Sequence, residues 1–328
     1  MNKKNTNIKK SKWGQFDLAQ FTKSEKGKTI VSLNYRIKRI DKVAKSWKLQ
    51  KLHKLILTYN FEKDFFLEFK SSVKKYVSKA LHIPYVTDDN IFMKNVDKAR
   101  NNRTNITPNG AVVPKREFQL EYNLILRSWC DLVKKIIKPD PSLLTLFRIT
   151  PNIRIKFGKE LKDNLNRGLS TSIPHSDAWV EGPWGFNCFI PLLGDLKKNN
   201  LKYYEPISFK ENFLNKSETY NSMQWVNKFY RPLNITPAAG KLYISDYSTI
   251  HHSNRKQNCK TRISIDTTFF VGKHLPIKDR IKEYTRKIPN IGIKEIVDPG
   301  QYEKDKFVEK KSVFSHYTGK TLKLIRLN

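Results

Sequence analysis

The sequence predicts an α+β fold in which helices flank a β-barrel or jelly-roll core. Three observations lead to this prediction: two amphipathic helical patterns in the first 140 residues, short strand-like segments from residue 145 onward, and Gly, Pro and Asn clusters between those segments. Helices followed by many short strands are typical of segregated layers around one core. We therefore expect an N-terminal helical and strand elaboration (1–140) packed on the barrel, a β-rich core (141–275) with an insertion (206–239), and a C-terminal extension (276–328).

Two helices are predicted from the spacing of apolar residues. Over residues 62–81, apolar side chains recur at intervals of three and four with lysines between them. Over residues 117–138 a second apolar stripe runs to Pro139, which cannot continue a helix. Aromatic residues at helical spacing usually belong to a core, so we assign both stripes to packing.

The remaining segments are predicted as strands and a loop. Between Thr29 and Tyr59, the segments TIVSLNYRI and KLILTYNF are rich in β-branched and aromatic residues, which predicts strands. Residues 87–116 are polar and include the turn-forming run TPNG, which predicts a long loop, either a lid or a disordered segment. Six strands are predicted in the core: Leu146–Ile149, Ile153–Phe157, Phe186–Leu192, Leu201–Glu205, Lys241–Ser245 and Arg262–Val271.

The chain is strongly basic, with 63 Lys and Arg against 30 Asp and Glu and a formal net charge of +33. The excess is spread along the sequence. Such a field attracts anions, which include nucleic acid, anionic lipid and phosphorylated or acidic small molecules. A compositional bias toward Lys, Asn and Ile explains the same excess without any anionic partner. Charge alone therefore leaves an anionic small-molecule substrate and a nucleic-acid partner open, and it indicates no oligomeric state.

Cysteine usage and hydropathy predict a soluble cytoplasmic protein. The three cysteines have no CxxC spacing, and an odd count argues against a disulfide framework. The N-terminus MNKKNTNIKK develops no apolar core of a signal peptide, and the longest apolar runs are too short to span a bilayer.

Three residues have the chemical character of a metal site. His175 and Asp177 stand two apart, so in an extended segment both side chains point the same way, and His251 follows after a long gap. Two imidazoles and one carboxylate form the facial triad that holds non-haem Fe(II) and leaves coordination positions open. Alone, the His-x-Asp pattern is weak evidence for a metal site, because a His and an Asp that only hydrogen-bond to each other can have the same spacing.

A second pattern follows the distal histidine. Arg262 lies 11 residues after His251, at the start of the predicted strand RISIDTTFFV. Alternation in a strand places Arg262, Ser264 and Asp266 on one face. A buried face that carries Arg and Ser requires an anion, and a dicarboxylate co-substrate satisfies that requirement.

The order HxD, H and RxS resembles that of the Fe(II)/2-oxoglutarate-dependent oxygenases, most closely the phytanoyl-CoA-hydroxylase-like branch and the oxygenases of streptomycin-type biosynthesis. The resemblance is carried by the segments HSDAWVEGPWGFNCFIPLLGD, NNLKYYEP and AAGKLYISDYSTIHHSNRKQNCKTRISIDTTFF, with an echo in PGQYEK. It covers about residues 150–272, whereas residues 1–140 carry none of it.

The resemblance implies a double-stranded β-helix of the jelly-roll, cupin-like type with a metal at one mouth. His175, Asp177 and His251 are expected to bind Fe(II). 2-Oxoglutarate is expected to chelate the metal, with its distal carboxylate on Arg262 and Ser264, and Asn187 matches a position near the co-substrate. The implied reaction is hydroxylation of a small substrate with O2, releasing succinate and CO2. Related iron halogenases lack the carboxylate that Asp177 provides, so hydroxylation, desaturation or epimerisation is favoured over halogenation.

One departure from the family pattern concerns the distal ligand. Family members commonly have Gly after the distal histidine, whereas this chain has His252, so either imidazole is a candidate ligand. The 11-residue step to Arg262 and the five-residue step from Asp246 favour His251.

Three other functions compete with this interpretation. Nucleobase demethylases of the superfamily place an arginine six or seven residues after the distal histidine, where this chain has Gln257 and Asn258. The second is a non-catalytic basic jelly-roll protein that binds nucleic acid or another polyanion. Such a protein has no need to retain the HxD, H and RxS patterns together. A cupin-like metalloenzyme that does not use 2-oxoglutarate has no need of Arg262.

Overall fold

The computed structural model describes residues 21–148, 150–158, 170–207 and 226–271, together with two short strands at 285–287 and 294–296. Its helices are α1 (Glu25–Val31), α2 (Leu33–Ser46), α3 (Lys63–Leu81), α4 (Asp89–Lys98), α5 (Gln119–Ile137), and the single turns α6 (Ala178–Glu181) and α7 (Val226–Phe229). Two 3₁₀ turns occur at Arg116–Phe118 and Pro141–Leu143.

The segment TIVSLNYRI is helical, so the strand predicted there is wrong. The side chains of Ser24 and Ser32 cap α1 and α2, accepting hydrogen bonds from the backbone amides of Gly27 and Tyr35. The buried positions of α2 include Ile40 and Val43, whose spacing of three is helical. Packing of this face outweighs the local preference of β-branched residues for strands.

The structure confirms both predicted helices and corrects the predicted loop. Helix α3 spans almost all of 62–81, and α5 lies within 117–138. The polar region 87–116 is not a continuous loop, because it contains α4. Asp88 caps α4 by accepting from the amide of Ile91, and Phe92 and Val96 are buried one turn apart.

The strands are β1 (Gln50–His53), β2 (Ile56–Asn60), β3 (Leu144–Arg148), β4 (Asn152–Lys156), β5 (Gly185–Gly194), β6 (Asn199–Pro206), β7 (Tyr230–Pro232), β8 (Lys241–Asp246), β9 (His251–Arg255), β10 (Arg262–Val271), β11 (Thr285–Lys287) and β12 (Lys294–Ile296). Each of the six predicted core strands has a counterpart here, and β10 matches its prediction residue for residue. The segment KLILTYNF contains β2, as predicted. Strand β9 was not predicted, because HHSNR is polar.

Within the described residues, two sheets form the β-rich part of the molecule. The larger has nine strands in the order β1-β2-β8-β5-β10-β3-β12-β11, with β4 also paired to β10. The smaller has the order β7-β6-β9. All pairs are antiparallel except β12 with β3. The β-rich part is therefore mainly antiparallel and lies in a mixed α/β fold.

The two faces of the larger sheet have different partners. On one face Phe269 of β10 stacks on Trp129 of α5, with ring centroids 5.5 Å apart, and it also meets Trp47 edge-on. On the opposite face Ile56 of β2 packs with Tyr203 of the smaller sheet and with Leu233. The helices thus cover one side of the larger sheet, and the smaller sheet approaches the other.

The predicted insertion and C-terminal extension lie largely outside the described residues. Of the insertion 206–239, residues 208–225 are not described, and of the extension 276–328 only β11 and β12 are described. The division into three regions remains a prediction. Among the described helices, none has both the length and the apolar character needed to cross a membrane.

Candidate metal centre

The two ligand-bearing segments meet at the edge of the smaller sheet. His175 and His251 form an antiparallel bridge, with the amide of His175 3.0 Å from the carbonyl of His251 and the reverse contact at 2.9 Å. Asp177 is the N-cap residue of α6 and has helical backbone angles, φ −64° and ψ −26°. The extended geometry predicted for the HxD segment is therefore wrong at Asp177, where the chain turns into a short helix.

The structure brings His175, Asp177 and His251 together. Each offers one ligand atom, and these atoms all lie within 4.8 Å of one another. Nε2 of His175 is 3.9 Å from Oδ1 of Asp177, and Nε2 of His251 is 3.8 Å from Oδ2. The imidazole rings are tilted by 54° with centroids 4.5 Å apart. This donor set, two nitrogens and one carboxylate, can hold a divalent transition metal.

Backbone carbonyls fix which nitrogen of each imidazole faces Asp177. Nδ1 of His175 lies 2.8 Å from the carbonyl oxygen of Ile173, and Nδ1 of His251 lies 3.0 Å from that of Thr249. A carbonyl only accepts, so each Nδ1 carries the proton and donates it. The lone pairs then belong to the Nε2 atoms, which is the arrangement a metal requires.

Burial prepares the proximal histidine for metal binding. His175 is 2% exposed, and desolvation together with the neighbouring His251 holds the pKa of its imidazole well below the usual value. The neutral ring is the form that binds a metal, so no proton has to be displaced at neutral pH.

An amide holds the carboxylate of the triad. Nδ2 of Asn187, on β5, donates to Oδ2 of Asp177 over 2.6 Å. Asn187 was predicted to lie near the co-substrate, and its described contact is with the carboxylate of the triad. A hydrogen-bonded carboxylate is restricted in rotation, which orients its oxygens for a metal.

Arg262 and Ser264 are buried on one face of β10. Arg262 is 1% exposed and Ser264 is 0% exposed. Within the described part of the chain, Nε and Nη1 of Arg262 and the hydroxyl of Ser264 have no hydrogen-bond partner. Phe189 lies under the guanidinium at 5.2 Å. Buried polar groups are normally paired, so these atoms indicate a place for a ligand that carries oxygen acceptors.

The nearby carboxylate does not neutralise Arg262, because another arginine uses it. Arg154 contacts both oxygens of Asp266, with Nη2 3.0 Å from Oδ2, and Asn152 donates to the same Oδ2. Burial lowers the pKa of Arg262 to about 10, while Asp266 opposes the change. An anionic ligand restores the charge balance that burial disturbs.

Two further residues lie in this region and were not singled out from the sequence. The ring of Tyr203 is 6.3 Å from that of His251; burial raises the pKa of its hydroxyl, and the neighbouring Arg262 partly counteracts that rise. Lys156 is 4% exposed, stands opposite Arg262 in the β4–β10 register, and donates to the hydroxyl of Thr171. Alternation in NIRIK sets Lys156 on the face of Asn152 and Arg154, so no local pattern distinguishes it from a surface lysine, and Tyr203 is one of two adjacent tyrosines in NNLKYYEP.

His252 is separated from the triad by strand alternation. Its ring lies beside Tyr204, with centroids 5.6 Å apart, and burial lowers its pKa to about 4. The ligand atoms grouped with His175 and Asp177 belong to His251 and not to His252.

No protein-family model and no curated protein matches the sequence. Several solved structures are similar to it. The non-haem α-ketoglutarate-dependent epimerase SnoN from nogalamycin biosynthesis is 12% identical, with a TM-score of 0.38 over 73% of this chain and 90% of that chain. AviO1 from Streptomyces viridochromogenes Tue57 is 12% identical, with a TM-score of 0.39 over 72% of this chain and 96% of that one.

A third similar structure is the N-substituted L-amino acid dioxygenase from Burkholderia ambifaria AMMD. It is 12% identical, with a TM-score of 0.30 over 66% of this chain and 82% of that chain. SnoN is also known in complex with Fe3+, α-ketoglutarate and nogalamycin RO. Solved structures that this chain resembles thus include non-haem α-ketoglutarate-dependent enzymes.

Proposed function

We propose that this protein is an Fe(II)/2-oxoglutarate-dependent dioxygenase that hydroxylates an unactivated C–H bond of a small metabolite. The observation that carries the proposal is the convergence of His175, Asp177 and His251, with their ligand atoms within 4.8 Å of one another. Two imidazoles and one carboxylate match the ligand preference of non-haem iron and leave part of its coordination sphere to co-substrate and O2.

The chain's own residues hold and shape this centre. Thr249 and Ile173 fix the imidazole tautomers, and Asn187 restrains the carboxylate of Asp177. Iron, 2-oxoglutarate and O2 together supply an oxidant strong enough for an unactivated C–H bond, with succinate and CO2 as the co-products. The protein contributes the coordination geometry, the orientation of the ligands and a site that is largely closed to water.

Arg262 and Ser264 are the proposed anchor for the distal carboxylate of 2-oxoglutarate. A guanidinium presents a planar fork that matches a carboxylate, and the neighbouring hydroxyl adds one more donor. Both side chains are buried. Three of their polar atoms, Nε and Nη1 of Arg262 and Oγ of Ser264, have no hydrogen-bond partner among the described residues. Asn187 is hydrogen-bonded to the carboxylate of Asp177, one of the three proposed metal ligands. We propose that Asn187 also contacts 2-oxoglutarate, as the sequence pattern predicts.

The proposed architecture is a double-stranded β-helix with the metal at its mouth. Its support is the packing of the larger, mainly antiparallel sheet against the smaller antiparallel sheet at Ile56 and Tyr203, with His175 and His251 bridging at the edge of the smaller one. In this arrangement His251 is the first residue of β9, and Arg262 is the first residue of β10.

The proposed substrate is a small anionic or sugar-like metabolite of the cytoplasm. Support for an anion comes from the formal charge of +33, which raises the encounter rate with negative molecules. The presence of Asp177 favours hydroxylation, or a related desaturation or epimerisation, over halogenation.

Succinate formation tests this function. Purified protein with Fe(II), ascorbate, O2 and 2-oxoglutarate is expected to release succinate slowly alone and faster with a true substrate from a panel of sugars, aminoglycoside-like compounds and phosphorylated metabolites. Asp177→Ala is the inactive control. Activity that survives Arg262→Ala and is independent of 2-oxoglutarate contradicts the proposal in favour of a cupin-like enzyme. Wild-type protein that forms no succinate but binds duplex DNA with steep salt dependence indicates a polyanion-binding protein instead.

A further inference from the structure

A buried ion pair connects helix α2 with the end of β8, just before the distal histidine. Nε of Arg36 donates to Oδ1 of Asp246 over 2.9 Å, and Nη2 donates to Oδ2 over 2.7 Å. Both side chains are 0% exposed, although the residues are 210 positions apart in the chain. A bidentate guanidinium–carboxylate pair fixes both partners in orientation as well as in position.

Asp246 in turn fixes the turn that follows β8. Its Oδ1 accepts hydrogen bonds from the amide and the hydroxyl of Ser248, over 2.9 and 2.6 Å. Its backbone carbonyl accepts from the amide of Thr249 over 2.8 Å. The turn of residues 246–250 is therefore organised around one carboxylate, which Arg36 holds from the other side.

The same turn holds both ligand-bearing segments. The carbonyl of Tyr247 accepts from the hydroxyl of Ser176 over 2.7 Å and from the amide of Ala178 over 3.2 Å, so it secures the residues on each side of Asp177. The carbonyl of Thr249 accepts from Nδ1 of His251 over 3.0 Å. The carbonyls of Tyr247 and Thr249 thus set the distance between the HxD segment and the distal histidine.

From this series of contacts we propose that Arg36 and Asp246 are positioning residues for the metal centre, and that helix α2 is a functional part of the site. The proposal rests on the proposed function, because it requires that the triad binds a metal. Neither residue touches the metal or substrate. They act through the turn at 246–250, whose carbonyls hold the proximal and distal ligand segments in register.

Breaking the Arg36–Asp246 pair is expected to weaken metal binding. Removing the guanidinium fork takes two hydrogen bonds from the buried Asp246 carboxylate and leaves Arg39, whose Nη1 is 3.6 Å from Oδ2, as its remaining cation, so the carboxylate has to rotate or acquire water. Each response releases the turn and lets the two ligand segments separate. Metal binding then has to reorder them, and the affinity for the metal falls.

Metal titration of two conservative variants tests the proposal. Arg36→Lys keeps the charge and removes the fork, and Asp246→Asn keeps the shape and removes the charge. Each is expected to raise the dissociation constant for Co(II), read from its d–d absorption, by roughly 10- to 100-fold, as for other residues that orient metal ligands. Fold and stability are checked by circular dichroism and urea unfolding.

A matched control separates positioning from a general loss of stability. Lys74 is 2% exposed and pairs with Asp89 over 2.8 Å between α3 and α4, away from the turn. Lys74→Met is expected to lower the unfolding midpoint while leaving the Co(II) dissociation constant at the wild-type value. Folded Arg36→Lys and Asp246→Asn proteins that bind Co(II) as tightly as wild type overturn the proposal. An equal loss of Co(II) affinity in Lys74→Met does so too.

Hydrogen exchange of the wild-type protein tests the same coupling without any variant, in case the substitutions prevent folding. Co(II) binding is expected to slow exchange of the amides in residues 33–46 and 246–250, and to leave residues 63–98 unchanged. Unchanged exchange in residues 33–46 overturns the proposal while the proposed function stands. A wild-type protein that binds no Co(II), Mn(II) or Fe(II) overturns both.

Discussion

Asn187 and Asp177 are joined by a 2.6 Å hydrogen bond in which the amide Nδ2 donates to Oδ2 of the carboxylate. The bond links β5 of the larger sheet to the short helix that begins at Asp177. It restrains the one anionic member of the triad from outside the coordination sphere. We therefore predict that metal affinity depends on Asn187, although Asn187 is not one of the three candidate ligands.

Asn187→Ala tests this restraint. Without the amide, Asp177 can rotate, and we expect the dissociation constant for Mn(II) to rise roughly tenfold or more, within the range seen when orienting partners of metal ligands are removed. Mn(II) titration followed by electron paramagnetic resonance measures the change. If the variant binds Mn(II) as tightly as the wild type but binds 2-oxoglutarate more weakly, Asn187 contacts the co-substrate and does not restrain Asp177 for metal binding.

The two adjacent histidines differ in their expected contribution to metal binding. His251→Ala removes a ligand atom that lies 3.8 Å from Asp177 and is expected to abolish specific Fe(II) binding. His252→Ala removes a ring that packs beside Tyr204 and is expected to leave the Fe(II) dissociation constant within about threefold of wild type. Iron analysis after anaerobic gel filtration compares them. Iron retention by His251→Ala together with its loss from His252→Ala reverses the ligand assignment.

Arg262→Gln is expected to separate metal binding from co-substrate binding. A lost charge-assisted contact corresponds to about 1.5–3 kcal/mol, or roughly a 10- to 150-fold weaker affinity for 2-oxoglutarate, with Fe(II) affinity unchanged. Isothermal titration of each ligand measures both quantities. An unchanged affinity for 2-oxoglutarate excludes Arg262 as the anchor.

Arg262→Gln is also expected to change the stability of the fold, because burial lowers the pKa of Arg262 to about 10 in the folded protein. A group with a lowered basic pKa binds its proton less tightly in the folded state, so its charge opposes folding at every pH below that value, including neutral pH. We therefore expect ligand-free Arg262→Gln to unfold at a higher temperature than the wild type. At one fixed concentration, 2-oxoglutarate is expected to raise the unfolding temperature of the wild type more than that of the variant.

Much of the candidate site could be predicted from the sequence because its chemistry lies in short patterns. His175 and Asp177 are two apart, and Arg262 begins a strand whose alternation is plain in RISIDTTFFV. The strand β10 was predicted to the residue for the same reason. Its apolar positions face the helices, and Arg262 and Ser264 occupy the intervening positions.

Other parts depended on tertiary structure that no local pattern contains. Residues 29–37 were predicted as strand because Ile30, Val31 and Ile37 are β-branched, whereas the Ser32 cap and the buried face of α2 make this segment helical. The pairing of Arg36 with Asp246 spans 210 residues and has no sequence signature. Strand β9 was not predicted because its residues, which include His251, are polar, whereas a core strand is recognised from its apolar residues.

Acid unfolding tests an ion pair far from the metal centre. Desolvation raises the pKa of Asp89, but hydrogen bonds from Lys70 and Lys74 outweigh it, so its net pKa lies below the usual value. A carboxylate with a lowered folded-state pKa stabilises the fold above its unfolded pKa, about 4, and this contribution is lost as the pH falls further. We expect Asp89→Asn to be less stable than wild type at pH 7 and to lose less stability than wild type between pH 5 and 3. Parallel urea midpoints for the two proteins across this range contradict the prediction.

The proposed function requires that His175, Asp177 and His251 bind iron together with 2-oxoglutarate. Anaerobic titration of the protein with Fe(II) and 2-oxoglutarate, followed by visible absorption, tests it most directly. We predict a weak charge-transfer band that requires both components, saturates at about one iron per chain, as one triad implies, and is absent in His251→Ala. A wild-type protein that gives no band and retains no iron contradicts the account.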